Sequence, residues 1–421
     1  MILNDDACLV IDHGLFPFVA QKLSEFIPEC YYFTHWENGA PMPQMDHIGH
    51  GLDGIIRVDS VYDVINDEKP GLIVFGDVGH GDWQEDLRQR GFSVFGTSRG
   101  ELLEDDRIKF RKILEKLKLP VSPYVPVYGG IEELREKLQK VTDKYVKISM
   151  YRGAGETFHH KNYEESKTEI NRLGHVLDIF DKEVEFIIED PIKAFVENVA
   201  IEWFLNDKGY LSHGIWGIEN KNSAYLGKKC EFNKLPPVLK DIADKFLPIY
   251  KKYLVRGAIS VEGHVTEDGK FWYDDPCMRF GSPPGEVIVE AYDNFPDVLK
   301  SIADNETIEP EMSDDYFTEV MLKVREPSDE SINVEFPNKF SDSVKLRNLC
   351  KMNGKLSIIP QGKETIIGAA VGKGKSIDEA KEKSFNAAKS VKGEGIYYDK
   401  DGFDVIDEQI KKAKRAGLGE F

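Results

Sequence analysis

Three short apolar runs, CLVID (8–12), LIVFG (72–76) and FSVFG (92–96), constrain the fold of this chain more than any other feature. Each reads as a strand buried on both faces, the pattern of a parallel sheet covered by helices. Helical stretches lie between them, FPFVAQKLSEF after the first run and GDWQEDLRQRG between the second and third. This alternation predicts an N-terminal doubly wound α/β sheet over residues 1–105. Gly14, just after the first run, fits the opening of a phosphate nest, but a lone glycine there more often makes a tight turn.

A chain of 421 residues with 41% hydrophobic content has material for two or three packed domains. Its longest apolar runs are too short to cross a bilayer, and the start, MILNDDACLVID, reads as a strand rather than a secretory leader. Five cysteines without CxxC spacing fit reduced thiols in a cytoplasmic protein. A net charge of −19 disfavours a broad nucleic-acid footprint or an anionic membrane surface, yet it is compatible with local phosphate sites.

Beyond the first sheet, Asp105 or Asp106 caps a helix whose Phe110, Ile113, Leu114 and Leu117 fall on one stripe, and Pro120 ends it. Residues 121–190 read as a small α+β unit, with strands YVKISM (145–150) and EFIIED (185–190). From 199 onward strands dominate. The acidic, proline-containing stretch 305–330 reads as a connection, and a compact unit follows from about 331.

The local chemistry centres on AISVEGHVTEDGKFWYDDPC. Asp268-Gly269 is a two-residue hairpin signal, and counting outward from it sets Glu262 opposite Asp275. Directly opposed side chains sit roughly 5 Å apart, so two acids there repel unless a cation joins them. A magnesium ion suits such oxygen ligands, with nucleotide phosphates and water completing its shell. An exposed hairpin with solvated acids is the plainer alternative. In YVKISMYRGAGETF, Lys147 sits mid-strand and is followed by Arg152, Gly153 and Gly155, a set that can approach phosphates or can form an ordinary glycine hairpin. EFIIED and Glu197 offer acids near a strand end that can accept from a ribose. His159 and His160 read as loop residues without a special role, and His13, His80 and His264 show no metal-ligand spacing.

In order and spacing, these segments resemble the ATP-grasp superfamily, and within it the phosphoribosylamine–glycine ligase family. The segments that carry the likeness are EDDRIKFRKILEKLKLPVSPY, YVKISMYRGAGE, IIED with Glu197, FWYDDPCMRFG and the ending GKSIDEAKEKSFNAAKSVKGEGIYYDKDG. The resemblance implies an N-terminal domain (1–105), an ATP-grasp domain (106–330, with 121–190 as its lid) and a C-terminal α+β domain (331–421). It implies that Arg107 and Lys147 contact ATP phosphates under a loop containing Gly153 and Gly155, and that Glu189 and Glu197 hold adenine and ribose. It further implies that Glu262 and Asp275 bind Mg2+, or Mn2+ in its place, and that Arg279 stabilises an acyl phosphate. The implied activity joins a small-molecule carboxylate, such as glycine, to an amine with release of ADP, in a cytoplasmic monomer or homodimer.

Departures fall in the substrate-facing segments. The chain reads IDHGLFPFVA, GDVGHGDWQEDL and GIENKNSAYLGKKC where the family has its own motifs, and Cys277 stands in the position of a metal-binding asparagine. Two alternatives follow: a ligase of the same mechanism acting on another amine, including one on a modified nucleotide or nucleic-acid base, and a nucleotide-binding protein without catalysis. A thiol is a poor magnesium ligand, and strand alternation expects Asp274 on the face opposite Asp275.

Overall fold

The computed structural model of the protein describes residues 3–34, 47–149, 157–177, 180, 182–325, 330–359 and 365–421. Strands β1 (Asn4–Asp12), β2 (Glu29–Thr34), β3 (Ile55–Arg57), β4 (Pro70–Phe75) and β5 (Val94–Phe95) form a parallel sheet in the order β3-β2-β1-β4-β5. The apolar runs are its interior: Cys8 to Ile11 and all of β4 are buried. The third expected strand shrinks to two residues, because Phe92 and Ser93 only lead into the ladder. Helices Pro17–Ser24 and Gly81–Gln89 follow β1 and β4, as the two helical stretches anticipated. The order reverses between β1 and β4, since β1 pairs with β2 on one side and β4 on the other.

A second, antiparallel sheet contains β6 (Tyr124–Val127), β7 (Lys144–Ser149), β8 (Thr157–His160) and β9 (Glu185–Glu189), in the order β6-β9-β7-β8. Helices Gly130–Leu138 and Tyr163–Leu177 cover it, packing Ile131, Leu134, Ile170 and Leu173 onto Val146, Ile148 and Phe186.

The largest sheet has ten strands. It takes in β10 (Val196–Asn206), β11 (Gly209–Tyr210), β12 (His213–Asn220), β13 (Ala224–Glu231), β14 (Gly257–Val265), β15 (Phe271–Cys277) and β16 (Tyr316–Val324). A three-stranded sheet holds β17 (Ile332–Val334), β19 (Leu349–Met352) and β20 (Lys355–Ile358), while β18 (Val344–Leu346), β21 (Ile366–Gly374) and β22 (Ile396–Tyr397) complete the large one.

Strand β16 corrects the expectation that residues 305–330 are only a connection. It lies between β13 and β21 and is buried from Phe317 to Leu322. Its polar look comes from Glu319, a carboxylate in the core. Glu319 Oε1 accepts from the Val287 N–H at 2.6 Å, whereas Glu319 Oε2 and Glu286 Oε2 are buried with no hydrogen-bond partner. Burial first, and the Glu286 charge second, push the Glu319 carboxyl well above its ordinary value. Glu286 is in turn held by Arg347 Nε at 2.6 Å.

The helix Arg107–Lys116 starts as expected. Asp106 accepts from the Lys109 N–H at 2.8 Å, and Phe110 and Leu114 turn into the core. The helix also buries Arg107 and Arg111, which lie four residues apart and therefore on one face.

A raised carboxyl gives stability that is complete below its unfolded pKa, near 4.5, and lost as pH climbs toward the folded value. Glu319→Gln keeps the acceptor for Val287 and removes this loss. Urea denaturation at pH 5 and pH 8 is expected to show the wild type losing more stability than the variant between the two. Equal losses would mean that Glu319 is not protonated in the fold.

Candidate active site

The hairpin β14–β15 brings Glu262 opposite Asp275, by a route the turn signal did not show. The turn is one residue longer than Asp268-Gly269 alone: Val265 pairs with Phe271, and the Thr266 N–H bonds to the Lys270 carbonyl at 3.0 Å. Counted from this turn, Glu262 would face Asp274. A bulge between Gly263 and Glu262 inserts Asp274 as an extra residue and restores the Glu262–Asp275 pair. The bulge also overturns the expectation that Asp274 points away from Asp275. Lys147 Nζ lies 2.8 Å from Asp274 Oδ1 and 3.1 Å from Asp275 Oδ2, so both acids turn to the same ammonium.

Lys147 is 3% exposed in the middle of β7. Burial opposes its charge, but Asp274, Asp275 and Glu189 together raise its pKa. Arg107 donates from Nε to the Ile148 carbonyl at 2.9 Å and from Nη1 to Asp275 Oδ1 at 2.6 Å. The same two cations hold Asp275 well below the usual carboxylate range despite its burial.

Arg111, which the sequence did not single out, completes the cluster. It makes a two-pronged bond to the Glu189 carboxylate and donates to the Asp274 carbonyl at 2.7 Å. Its one available signal was the i, i+4 spacing to Arg107 on a helix otherwise read for its apolar stripe. Glu189 thus has its carboxylate on Arg111, with Lys147 Nζ at 3.5 Å.

A cleft of about 600 Å³ gathers Arg107, Lys147, Glu189, Glu197, Glu262, Asp275 and Arg279. Glu197 is exposed at its rim, its N–H bonded to Gln409 Oε1 at 3.0 Å. Gly153 and Gly155, like Arg152, lie outside the described residues. His159 stacks on Tyr145 and reaches Asp143 at 2.8 Å, and His160 is buried against Ser166 and the Leu138 and Val141 carbonyls. Both lie on strand β8 rather than in a loop.

Glu262 is in no ion pair among the described residues, and burial raises its pKa against the opposing pull of Lys221. Lys221, on the turn after β12, was also missed. Burial counts against its charge, but Glu262, Glu219, Asp275 and Asp274 raise its pKa. Behind them, burial and then Glu262 push the Glu202 carboxyl well up, and its Oε1 accepts from Ser260 at 2.7 Å. Cys277 is buried with its Sγ toward the Arg279 and Phe280 carbonyls, and burial pushes its thiol well up. Arg279 Nε lies 3.1 Å from Glu104 Oε1 and 3.3 Å from Asp77 Oδ1, tying the hairpin to the ends of the first sheet.

Removing one partner of a buried, hydrogen-bonded charge pair exposes the cost of desolvating the other. Arg111→Ala is expected to lower stability by about 3–5 kcal/mol in urea denaturation, and Arg111→Lys, which keeps charge without the fork, by less. A loss within 1 kcal/mol of zero for the alanine variant, on the order of a surface pair, would show the Glu189 contact to be dispensable.

No protein-family model matches the chain, and no curated protein sequence matches it. Solved structures do. Phosphoribosylamine–glycine ligase from Thermotoga maritima superposes with a TM-score of 0.69 at 17% identity, covering 93% of this chain and 98% of that one. L-amino acid ligase from Bacillus licheniformis gives 0.60 at 14% identity, over 95% of this chain and 100% of that one. Biotin carboxylase from Campylobacter jejuni gives 0.61 at 11% identity, over 93% of each. The parallel sheet followed by the lysine-strand sheet and the large antiparallel sheet, a lysine strand over an acidic hairpin, and likeness over nearly the full length agree: the chain has the ATP-grasp fold.

Proposed function

We propose that the protein is an ATP-dependent carboxylate–amine ligase. The observation that carries this reading is the convergence of Lys147, Arg107, Glu262 and Asp275 from separate elements on one cleft, within a fold shared with ligases. The substrate carboxylate attacks the γ-phosphate, an acyl phosphate forms, and the amine displaces phosphate as ADP is released. Catalysis of this kind is positioning and charge neutralisation, which needs cations and donors rather than a protein nucleophile.

In this reading Lys147 and Arg107 hold ATP phosphates, exchanging their bonds to Asp275 for bonds to phosphate oxygens. Gly153 and Gly155, outside the described residues, keep the phosphate-contacting role that the resemblance implies. Glu189 and Glu197 flank adenine and ribose; with the Glu189 carboxylate taken up by Arg111, the ribose hydroxyls fall to Glu197. Arg279 stabilises the acyl phosphate. The reading extends to glycine or another small amino acid as the acid, and to a purine-related role by analogy with the Thermotoga maritima enzyme.

The residues fit a magnesium ion bound with nucleotide. Among the described residues no cluster of three or more His, Cys, Asp or Glu is set to hold a metal alone. Glu262 and Asp275 nonetheless offer paired hard oxygens beside the phosphate-directed cations, and magnesium takes few protein ligands when phosphates and water complete its shell. When bound it would neutralise developing phosphate charge, with Mn2+ able to replace it. Cys277 favours a second reading, nucleotide binding without catalysis, because its buried thiol supplies no oxygen where the resemblance expects asparagine.

ADP formation from Mg-ATP is expected only when an acid and an amine are present together, and chelation of the metal is expected to abolish it. Lys147→Ala and Asp275→Ala should each lower that rate by about 100-fold or more. Unchanged turnover in Asp275→Ala would remove its assigned role. Tight ATP binding with no turnover across acids and amines would establish the second reading.

A further inference from the structure

The carboxyl ends of β1 and β4 meet where the strand order of the first sheet reverses. In open parallel sheets small molecules bind outside the strand ends at such a switch point. Helix starts there are ready seats for phosphate, because their unpaired N–H groups and dipoles favour an anion. Two helices begin at this place, Pro17–Ser24 after Gly14 and Gly81–Gln89 after Gly79.

Backbone N–H groups leading into both helices are taken by carboxylates of the chain itself. Asp12, fully buried, accepts from the Gly14 N–H at 2.8 Å, the Phe16 N–H at 2.5 Å and the Tyr32 hydroxyl at 2.6 Å. Glu101 Oε2 accepts from the N–H groups of Gly79 at 2.8 Å and His80 at 3.0 Å, while its Oε1 takes that of Gly81 at 2.9 Å. The second plug is closely built: a Cβ at Gly81 would lie 2.5 Å from the Ser98 carbonyl oxygen and 2.7 Å from Glu101 Oε1. A phosphate would have to displace one of these carboxylates and face its charge.

The polar groups left at the switch point are of another kind. Asp77 follows β4, with His13 Nδ1 at 3.2 Å and Arg279 Nε at 3.3 Å. The rings of His13 and His80 stack at 5.4 Å. Arg279 also leans on Glu104, so its charge is shared between two acids. Through Arg279, which lines the cleft of Lys147 and Asp275, this place adjoins the proposed reaction centre.

We propose that the amine acceptor binds at the β1–β4 switch point and carries no phosphate group, its hydroxyl or ammonium groups meeting Asp77 and the imidazoles of His13 and His80. The proposal rests on the ligase reading for the word acceptor. The exclusion of phosphate rests on Asp12 and Glu101 alone.

The test titrates inorganic phosphate by calorimetry into protein whose nucleotide cleft is already saturated with Mg2+ and a non-hydrolysable ATP analogue. Failure of the analogue to bind overturns the ligase reading by itself and is seen before phosphate is added. Wild-type protein is expected to give no saturable phosphate binding. Glu101→Ala, which uncovers three N–H groups, is expected to gain affinity by roughly tenfold or more. Glu101→Gln, which keeps the size of the side chain and loses its charge, should change in the same direction by less. Saturable phosphate binding to the wild type that is retained in Arg279→Ala, and is therefore independent of the reaction centre, would overturn the proposal. So would turnover with glucosamine 6-phosphate and none with glucosamine.

Discussion

The ammonium of Lys147, buried in the middle of a strand, is the constraint on which the arrangement of the other elements depends. An isolated buried charge of this kind is prohibitive, so its neighbours must be acids, and those acids must come from somewhere. Glu189 arrives on the adjoining strand β9, and Asp274 and Asp275 arrive on β15 of a different sheet. Three acids around one ammonium would in turn be uncompensated. One helical turn supplies the balance, with Arg107 on Asp275 and Arg111 on Glu189. The charges close three against three, and in closing they bind the lysine sheet, the hairpin and the helix between them into one wall of the cleft.

How much of this was legible in the sequence differs between its parts. Three strands of the parallel sheet were, because burial on both faces leaves an uninterrupted apolar run, whereas β2, buried on one face, and β3, three residues long, leave none. The Glu262–Asp275 pair was legible by a count in which two departures cancelled, a turn one residue too long and a bulge one residue deep. Asp274 was not legible, since alternation fails at a bulge and nothing in YDDPC announces one. Arg111 was hidden because RIKFRKILEK offers its basic residues equally to solvent and to a site, and only the position of Glu189 in space separates them. Strand β16 was hidden by the reverse effect, a buried acid that makes a central strand look like a surface link.

Buried acids recur through the large sheet. Glu202, Glu262 and Glu319 lie on β10, β14 and β16, each pushed up in pKa chiefly by burial. Of these Glu262 alone lines the cleft, and its excess of negative charge is answered by Lys221 rather than by a bonded ion pair. In the proposed reading, a carboxylate so placed is the one that would meet a cation arriving with the nucleotide. Cys277, two residues beyond Asp275, offers nothing to such a cation, because its sulfur is turned to backbone carbonyls.

The same pairing of carboxylate with donor recurs in the cleft and at the switch point of the first sheet, and burial separates the two. Asp275, with its side chain 28% exposed, holds its cations at the open side of the cleft, where an incoming anion would need no core opened to enter. Asp12, with none of its surface exposed, holds backbone N–H groups that no incoming anion can reach without breaking into the sheet. A glycine after a parallel strand permits a phosphate nest, but permission is a property of the backbone, and occupancy is a property of the nearest side chain. In this chain the residue two positions before Gly14 and the one twenty-two positions after Gly79 have taken the places. In the proposed reading, charge at the nucleotide end is exchangeable while the N–H groups at the acceptor end are already taken, which would confine phosphate recognition to the end where ATP binds.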